Sequence, residues 1–495
     1  MSKFNATATY PMPEMTTNHE GFAAYSMDPK SKLVTQVLTS FFNESKFYGD
    51  NSKEIEETIR QVIKTDPEFI AKLAAFARRE FNMRSISHVL IGYLANTPEG
   101  KPFAKQAVKS CVLRGDDATE ILAFYLNTFG KPIPNSLRKG LRDVFSTFDA
   151  YTLAKYKGES KSVKMKDILC LCRPAPKNAE QSETWKKLLE ERLEPAYTWE
   201  TELSAKGNTT EVWQELINSG KVGYMALLRN LRNILNAAPN NLDKVLEKIA
   251  DPEEVRKSRQ LPFRFMSAYR NVPWDSWCKQ KAWDALDQAA DAAVENLPKI
   301  PGRTVIAIDV SGSMSSTISD KSDVRCCDIA MLLGLIANRI CEQSRVFTFD
   351  NNIRELNIPR RNGLISEAIE RSVYGGGTDM KLPFRKMILE NIACDRLIIL
   401  SDNECNVLNH DSVYYFWHGR ERETVQKLAD QYRGRTGNNI WVHAIDLQGY
   451  GTQQFAGPKT NIIAGWSEKV FEFILLAEQG EGSLIRKIEE YKAFS

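Results

Sequence analysis

The 495-residue sequence lacks the features that mark membrane-spanning and secreted proteins. No run approaches 18 consecutive apolar residues, so no transmembrane helix is predicted and we expect no membrane partner. The opening residues contain no apolar signal core, and we therefore expect a cytoplasmic protein. The nine cysteines include no CxxC pair, and the five histidines are scattered far from the candidate cysteine clusters. This pattern argues against a zinc site and favours reduced thiols.

A strong net charge and the common catalytic motifs are also absent. Lys and Arg total 66 against 63 Asp and Glu, which gives a formal net charge of +3. This balance excludes a generic polycation that coats nucleic acid, although it allows local basic patches. No P-loop and no Ser-His-Asp or Cys-His arrangement is evident, so we expect a protein that is not an enzyme. Apolar residues make up 42% and charged residues 26%, as in ordinary globular proteins.

Helical patterning dominates the first part of the chain. Residues 1–30 have no periodicity and predict an irregular arm, whereas residues 31–296 are helical almost throughout. Asp66-Pro67 predicts a helix start, because Asp caps helices and Pro is tolerated in the first turn. Short amphipathic helices with tight loops are typical of a helical-repeat solenoid. Further helices are predicted at 134–147, 184–194, 210–218, 221–236, 241–250, 262–271 and 280–296.

The pattern of apolar residues changes after a break at 297–303, which contains Pro298, Pro301 and Gly302. Short apolar runs then alternate with helical stretches. This alternation is typical of a parallel, doubly wound α/β sheet, here over residues 304–495. The predicted strands are 304–309, 345–350, 396–401 and 439–446.

Polar residues at the carboxyl ends of these predicted strands form a candidate metal site. In open α/β sheets, ligands bind outside the carboxyl ends of the strands. Two carboxylates and three hydroxyls make an all-oxygen donor set, which suits Mg²⁺ or Mn²⁺; we expect Mg²⁺. The five candidate ligands are Asp309, Ser311, Ser313, Thr378 and Asp402. The DxSxS triplet alone would equally fit residues that cap a strand-to-helix turn.

In order, these motifs match the metal-ion-dependent adhesion site of von Willebrand factor A domains, and residues 300–495 resemble that domain. The resemblance implies a docking site whose metal accepts a carboxylate from an acidic protein partner. A hydrolytic function would need a base near the metal to activate water. Glu404, Asp379 and His410 are candidates, but support of the site from its outer shell is the preferred interpretation for each.

Basic tracts interrupt the neutral helical region at 131–142, 155–177, 221–234 and 255–270. Lysine and arginine neutralise phosphates, and aromatic rings stack on unpaired bases. Four acid-poor tracts in one region favour an RNA surface, although any single tract would also fit a solvated helix face. Phe263 and Phe265 flank Arg264, and we interpret them as core residues.

The order of these motifs resembles the TROVE-domain Ro autoantigen family. The segments that carry the resemblance are KYK and MKDILCL within 155–171, YMALLRNLRNIL at 224–235 and LPFRFMSAYR at 261–270, followed by the A-type domain. The resemblance implies a ring of HEAT-like helical repeats, closed by the A domain, and hence a monomer. It also implies that small noncoding Y RNA binds the outer basic surface and that single-stranded 3′ ends of misfolded RNA enter the hole. RNA quality control, stress survival and an exoribonuclease partner such as polynucleotide phosphorylase follow from it.

The same resemblance assigns candidate RNA-binding residues. The predicted outer surface consists of Lys155, Lys157, Lys164, Lys166 and Arg173. The predicted lining of the hole consists of Arg229, Arg232, Arg256, Arg259 and Arg264. One departure is Cys172-Arg173-Pro174, where the animal pattern has a histidine before Lys-Pro. The alternative function is a metal-dependent protein-interaction module on a helical scaffold, like a chaperone- or chelatase-type assembly factor; a metal-dependent nuclease or phosphatase is the third hypothesis.

Overall fold

The computed structural model divides the chain into two compact units, and each is described by itself. The first comprises residues 29–222 and 484–495, and the second comprises residues 1–28 and 223–483. None of the described helices is both long and apolar enough to cross a membrane. The structure describes residues 14–17, 23–39, 52–158, 161–260, 262–295, 297–317, 323–358, 363–402, 424–437, 439–448, 452–455, 459–464, 470–478 and 483–492.

The first unit is helical wherever it is described. Neighbouring helices in sequence pack against each other through their apolar faces, as the amphipathic pattern predicts. Its helices are α1 (Pro29–Thr39), α2 (Ser52–Thr65), α3 (Pro67–Glu80), α4 (Ser85–Asn96), α5 (Lys101–Cys111), α6 (Gly115–Phe129), α7 (Asn135–Phe145), α8 (Ala150–Lys155), α9 (Met165–Cys172), α10 (Ala179–Leu189), α11 (Trp199–Lys206), α12 (Thr210–Asn218) and the carboxyl-terminal α24 (Ser483–Glu489).

Two aspartates help to set the positions of these helices. The Asp66 side chain accepts a hydrogen bond from the Phe69 backbone N–H at 3.0 Å, which caps α3 where the sequence predicted a start. The Asp117 carboxylate at the start of α6 accepts from Arg78 Nη2 at 2.9 Å and from Arg84 Nε at 2.8 Å. Because Asp117 is fully buried, this pairing fixes α6 against α3.

The second unit combines helices with a six-stranded sheet. Its helices are α13 (Tyr224–Arg229), α14 (Leu231–Ala237), α15 (Leu242–Ala250), α16 (Pro252–Ser258), α17 (Pro262–Arg270), α18 (Lys279–Glu295), α19 (Cys326–Ile340), α20 (Leu364–Arg371), α21 (Leu382–Leu389), α22 (Val425–Thr436) and α23 (Val470–Glu478). Its strands are β1 (Met15–Thr17), β2 (Ala23–Ser26), β3 (Ile300–Asp309), β4 (Cys341–Phe349), β5 (Ile353–Leu356), β6 (Arg396–Ser401), β7 (Trp441–Asp446), β8 (Thr452–Gln453) and β9 (Thr460–Ala464).

The large sheet has the strand order β5-β4-β3-β6-β7-β9, and all neighbours are parallel except β4 and β5. Both faces of the central strand are covered. Val305 and Ala307 belong to a core with α21 and α22, while Ile308 contacts α19 so closely that a Cβ on Gly334 would lie 2.3 Å from Ile308 Cδ1. Burial on both faces explains why the strand sequences are continuous apolar runs.

A buried ion network ties α23 to this sheet. Arg396 on β6 donates two hydrogen bonds to the Glu478 carboxylate, at 2.6 and 2.8 Å. His443 Nε2 on β7 lies 3.1 Å from Glu478 Oε1, and Asn461 Nδ2 on β9 lies 3.2 Å from His443 Nδ1. Burial lowers the pKa of His443. Burial raises the pKa of Glu478, but the hydrogen bonds from His443 and Arg396 outweigh that effect and lower it to about 2.

Two aspartates of α18 cap the amino-terminal end of α20. The Asp291 carboxylate accepts from the Gly363 and Leu364 backbone N–H groups at 2.8 and 3.2 Å. The Asp287 carboxylate accepts from the Ile365 and Ser366 N–H groups at 2.7 and 3.2 Å. These four donors are the first N–H groups of α20, which an isolated helix leaves without an intrahelical partner.

The structure corrects two expectations. Residues 15–17 and 23–26, predicted as part of an irregular arm, form two antiparallel strands, and the second pairs with β8. The sheet is mixed, because the short β5 was not predicted and lies antiparallel at the edge. The predicted domain boundary at 297–303 stays a prediction, and the compact units follow packing instead, with divisions at residues 28/29, 222/223 and 483/484. Helices α13 to α18 cluster with the sheet rather than with the earlier helices, since α18 packs against α20.

Candidate functional site

Asp309, Ser311 and Ser313 lie together at the carboxyl end of β3. The Ser311 backbone N–H donates to Asp309 Oδ1 at 2.8 Å, and the hydroxyls of Ser311 and Ser313 lie 3.1 Å apart. Ser401, the last residue of β6, donates its hydroxyl proton to Asp309 Oδ2 at 2.6 Å. Asp402 follows directly on that neighbouring strand. The parallel register of β3 and β6 therefore brings the two carboxylates to one edge of the sheet.

The glycine-rich loop before α21 reaches the same edge. The Gly312 N–H donates to the Gly376 carbonyl at 3.0 Å, and the Gly375 N–H donates to the Val310 carbonyl at 2.9 Å. The positive φ of 78° at Gly376 explains why glycine occupies the turn. These backbone bonds hold the loop beside β3 and position the fully buried Thr378 next to it. All five predicted ligands thus lie on three adjoining segments, which we call the strand-end site.

Burial dominates the electrostatics of the strand-end site. Asp309 is fully buried and Asp402 almost fully. Desolvation, and then the charge of Asp402, raise the pKa of Asp309 to about 7. Two buried carboxylates with hydroxyl oxygens form a donor set that fits a hard divalent cation, since the cation would offset their repulsion. Within the described residues no group of three His, Cys, Asp or Glu side chains could hold a metal, so the hydroxyls would be needed as ligands.

The carboxylate of Asp379 supports the loop. Its Oδ1 accepts from the Lys381 backbone N–H at 3.0 Å, and Lys381 Nζ and Arg385 Nη1 each lie 3.8 Å from its oxygens. Glu404 and His410, the other candidate bases, lie outside the described residues. Sequence reasoning missed Ser401. The sequence could have indicated Ser401, because it is the final residue of an apolar strand and directly precedes Asp402.

Three of the predicted lysines gather around one glutamate in the first unit. Lys166 Nζ lies 2.5 Å from Glu191 Oε1. The hydrogen bond from Lys166, its charge, and then the charges of Lys164 and Lys157 lower the pKa of the exposed Glu191. We call Lys157, Lys164 and Lys166 the lysine cluster. They come from the ends of two helices, and the structure brings them within electrostatic reach of one point.

Further cations border the lysine cluster. Lys155 Nζ lies 5.5 Å from the centroid of the Tyr156 ring, and Arg173 is exposed at the end of α9. Burial raises the pKa of Cys172 to about 11, against the opposing charges of Arg138 and Arg142 on α7. Because Cys172 lies on α9, the tracts 131–142 and 155–177 adjoin each other. Because the tracts are separated in the sequence, the sequence did not predict that they adjoin in the fold.

The predicted arginines of the second unit are more dispersed. Arg229, Arg232 and Arg259 are exposed, and within the described residues no hydrogen bond or ring contact gathers them into one group. Arg256 pairs with Glu253, just outside its acid-poor tract. Arg264 lies 5.0 Å from the centroid of the Phe263 ring. Phe263 and Phe265 are buried, which confirms their interpretation as core.

Comparison with protein-family models identifies two matches. The model of the TROVE domain matches residues 29–197 and 191–276, which together make up half of the chain. The model of the Ro60 vWA domain matches residues 303–426. The crystal structure of the RO (RSR) protein of Deinococcus radiodurans has the same fold, with a TM-score of 0.60 at 19% identity, over 90% of this chain and 100% of that one.

The sequence relatives match part of this chain and are longer than it. Telomerase protein component 1 of Rattus norvegicus is 26% identical over 325 residues, which are 48% of this chain and 12% of that protein. The RNA-binding protein RO60 of Caenorhabditis elegans is 27% identical over 40% of this chain and 32% of its own length. The RO60 of D. radiodurans is 28% identical over 43% of this chain and 41% of its own length. The chain thus spans less than half the length of each of these relatives.

Proposed function

We propose that this chain is an RNA-binding scaffold and not an enzyme, because it belongs to the TROVE-domain Ro family and carries a Ro60-type von Willebrand factor A domain. The observation that carries the proposal is the lysine cluster. Its three cations, with Lys155 and Arg173 nearby, lie on both sides of the loop between α8 and α9 and act on one acid. Half-buried and exposed cations at this density suit a phosphate backbone, because each contact releases condensed counterions.

Charge reversal tests this proposal. Changing Lys155, Lys157, Lys164 and Lys166 together to Glu should weaken the binding of a structured small RNA at least tenfold. The salt dependence should become shallower by about 0.7 to 0.9 in the log–log slope for each phosphate that the variant no longer neutralises. Filter binding or fluorescence anisotropy across a salt series measures both.

The matched control changes Lys53, Lys64, Lys101 and Lys109 to Glu. These four lysines are exposed on other helices of the same unit, and the change in net charge is identical. The control should retain most of the affinity. Equal affinities of the two variants would contradict the assignment of the RNA surface, and no binding by the unaltered protein would contradict RNA binding itself.

The finer features are part of the same proposal. The structured RNA is a small noncoding RNA of the Y type, and single-stranded 3′ ends of misfolded RNA bind elsewhere on the helical repeats. An exoribonuclease such as polynucleotide phosphorylase would process the RNA that the scaffold presents. We further propose a cytoplasmic monomer, in which the nine cysteines stay reduced. The ring and its hole remain predictions of the family resemblance.

The strand-end site favours a second activity, the docking of a protein. Asp309, Ser311, Ser313, Thr378 and Asp402 would hold a divalent cation, and a bound cation would offer a coordination position to a partner's carboxylate. Partners captured in Mg²⁺ but lost in EDTA, and lost also with Asp309→Asn, would support this activity. Partners that nuclease treatment removes and EDTA does not would instead be carried by RNA.

A further inference from the structure

The loop between α17 and α18 exposes two large aromatic side chains. Trp274 is 79% exposed and Trp277 is 73% exposed, more than any other aromatic side chain among the described residues. Tryptophan is normally among the well-buried residue types, so two such rings within four residues call for a physical reason. We call Tyr269, Trp274, Trp277 and Trp283 the aromatic platform.

Three rings of the aromatic platform contact one another. The rings of Tyr269 and Trp283 are stacked, with centroids 5.0 Å apart and an interplanar angle of 8°. Trp274 meets Trp283 edge-on, with centroids 6.1 Å apart. The Trp283 indole N–H donates to the Tyr269 carbonyl at 3.1 Å, which fixes the orientation of the stack. The rings are therefore held in position before any ligand arrives.

The loop that carries the two exposed tryptophans is anchored to the core. Val272 and Cys278, which flank them, are buried. The Ser276 N–H donates to the Pro273 carbonyl at 3.2 Å, and the Lys279 N–H donates to the Ser276 carbonyl at 3.1 Å. Because these turns order the backbone, a ligand that contacts the rings would lose little affinity to loop ordering.

Both cations and acids lie around the platform. Asp284 and Asp287 lie near Tyr269. Four of the nearby cations pair with acids, namely Arg256, Lys257, Arg270 and Lys281. Residues 255–283 contain one acid, Asp275, and seven basic residues: Arg256, Lys257, Arg259, Arg264, Arg270, Lys279 and Lys281. Lys279 Nζ lies 3.0 Å from the Trp274 ring centroid and 4.4 Å from that of Trp283. Within the described residues neither Lys279 nor Arg259 makes an ion pair. Aromatic rings and unpaired cations thus lie in one segment.

We propose that the aromatic platform binds unpaired bases of single-stranded RNA by stacking, with Trp274 and Trp277 as the contact surfaces. This inference rests on the proposed RNA-binding function and adds a specific site to it. Every base has a π-face, so stacking is tolerant of sequence, and Lys279 would contact the phosphate between stacked bases. Lys279, which lies against the rings and makes no ion pair among the described residues, favours a polyanion over an apolar protein surface as the occupant.

Substitutions that separate stacking from apolar contact test the platform. The double variant Trp274→Ala/Trp277→Ala should bind a short oligouridylate about tenfold or more weakly, because alanine substitution removes roughly five- to a hundredfold per stacked base. Trp274→Phe/Trp277→Phe should retain most of the affinity. Trp274→Leu/Trp277→Leu should lose it, since leucine keeps apolar bulk but has no π-face. Both tryptophans are exposed, so thermal melts of the variants should match the unaltered protein.

Three RNA probes distinguish the possible outcomes. The unaltered protein should bind oligouridylate more tightly than an abasic oligomer of equal length, and all variants should bind a hairpin without unpaired tails equally well. Oligouridylate binding that is unchanged in the alanine variant would overturn the platform while leaving RNA binding intact. Retention of affinity by the leucine variant would overturn stacking and identify a general apolar docking surface. Failure of every RNA to bind would overturn the platform and the proposed function together.

Discussion

The lysine cluster and the strand-end site both concentrate charges of one sign, but they lie in opposite surroundings. The three lysines are half-buried and still reach water, and one exposed glutamate stands among them. Asp309 and Asp402 are buried side by side. Water screens the repulsion between the lysines, so the cluster keeps its charge at little cost. The buried carboxylates have no such screening, and burial, followed by the charge of Asp402, raises the pKa of Asp309.

The difference indicates how each site would bind its ligand. An exposed cluster attracts a polyanion over a range of positions, and its affinity depends on salt. A buried carboxylate pair instead selects a small cation that fits between fixed oxygens. Three measurements test this contrast.

The largest expected effect is the stabilisation of the strand-end site by metal. At Mg²⁺ concentrations a hundredfold above the dissociation constant, the unaltered protein should gain about 2.7 kcal/mol of unfolding free energy. Asp309→Asn should abolish this gain, since it removes a charged ligand. In EDTA the variant should be at least as stable as the unaltered protein, because it also removes the buried repulsion. Thermal unfolding with Mg²⁺ and with EDTA measures both effects.

Asp395→Asn is the control for this measurement. Asp395 precedes β6 at the other end of the strand, is exposed, and pairs with Arg303. This variant should respond to Mg²⁺ like the unaltered protein. A Mg²⁺ response that persists in Asp309→Asn would place the cation elsewhere.

A smaller effect concerns pH and the buried His443. Its folded-state pKa lies below the unfolded value, so the unfolded chain binds the proton first as the pH falls. The stability that neutral His443 contributes is therefore complete above a pH of about 6.5 and declines below it, by at most about 1.4 kcal/mol per pH unit. The lowered pKa of Glu478 adds a further loss of stability, which begins only below a pH of about 4.5.

Urea unfolding between neutral and mildly acidic pH tests this expectation. His443→Gln should be less stable at neutral pH, yet its stability should change less as the pH falls. Parallel pH profiles for the two proteins would show that another group is responsible for the acid sensitivity.

The smallest effect should come from Glu191. Glu191→Gln removes the only acid that faces all three lysines among the described contacts, and RNA affinity should rise about two- to fivefold at low salt, in line with the small energies of exposed ion pairs. The gain should disappear at high salt. Glu190→Gln is the matched control, because Glu190 pairs with Arg192 instead. Equal gains in both variants would indicate a general charge effect.

The buried parts of the molecule were the most predictable from sequence. The strand Arg396–Ser401 has the predicted bounds, and the helix after Asp66-Pro67 starts where predicted. The strand-end site was predictable because parallel strands bring their carboxyl ends together, which fixes Asp309 near Asp402. In each case the periodicity of burial or the parallel pairing of strands determines the position of the residue.

Exposed contacts could not be predicted in the same way. Glu191 lies 25 residues from Lys166, and no periodic pattern links them. The edge strand Ile353–Leu356 is short and half-exposed, so it carries no apolar run. The exposed tryptophans likewise required the structure, since an isolated aromatic in a sequence is usually interpreted as core.

The capping of α20 by Asp287 and Asp291 has an evolutionary consequence. The two sequence domains meet at a break that a recombination event could use, but the first N–H groups of α20 depend on carboxylates from before that break. An A-type domain transferred without α18 would have to solvate those groups or acquire a new cap. Inheritance of the last helix of the helical domain together with the A domain is therefore favoured over free shuffling of the two modules.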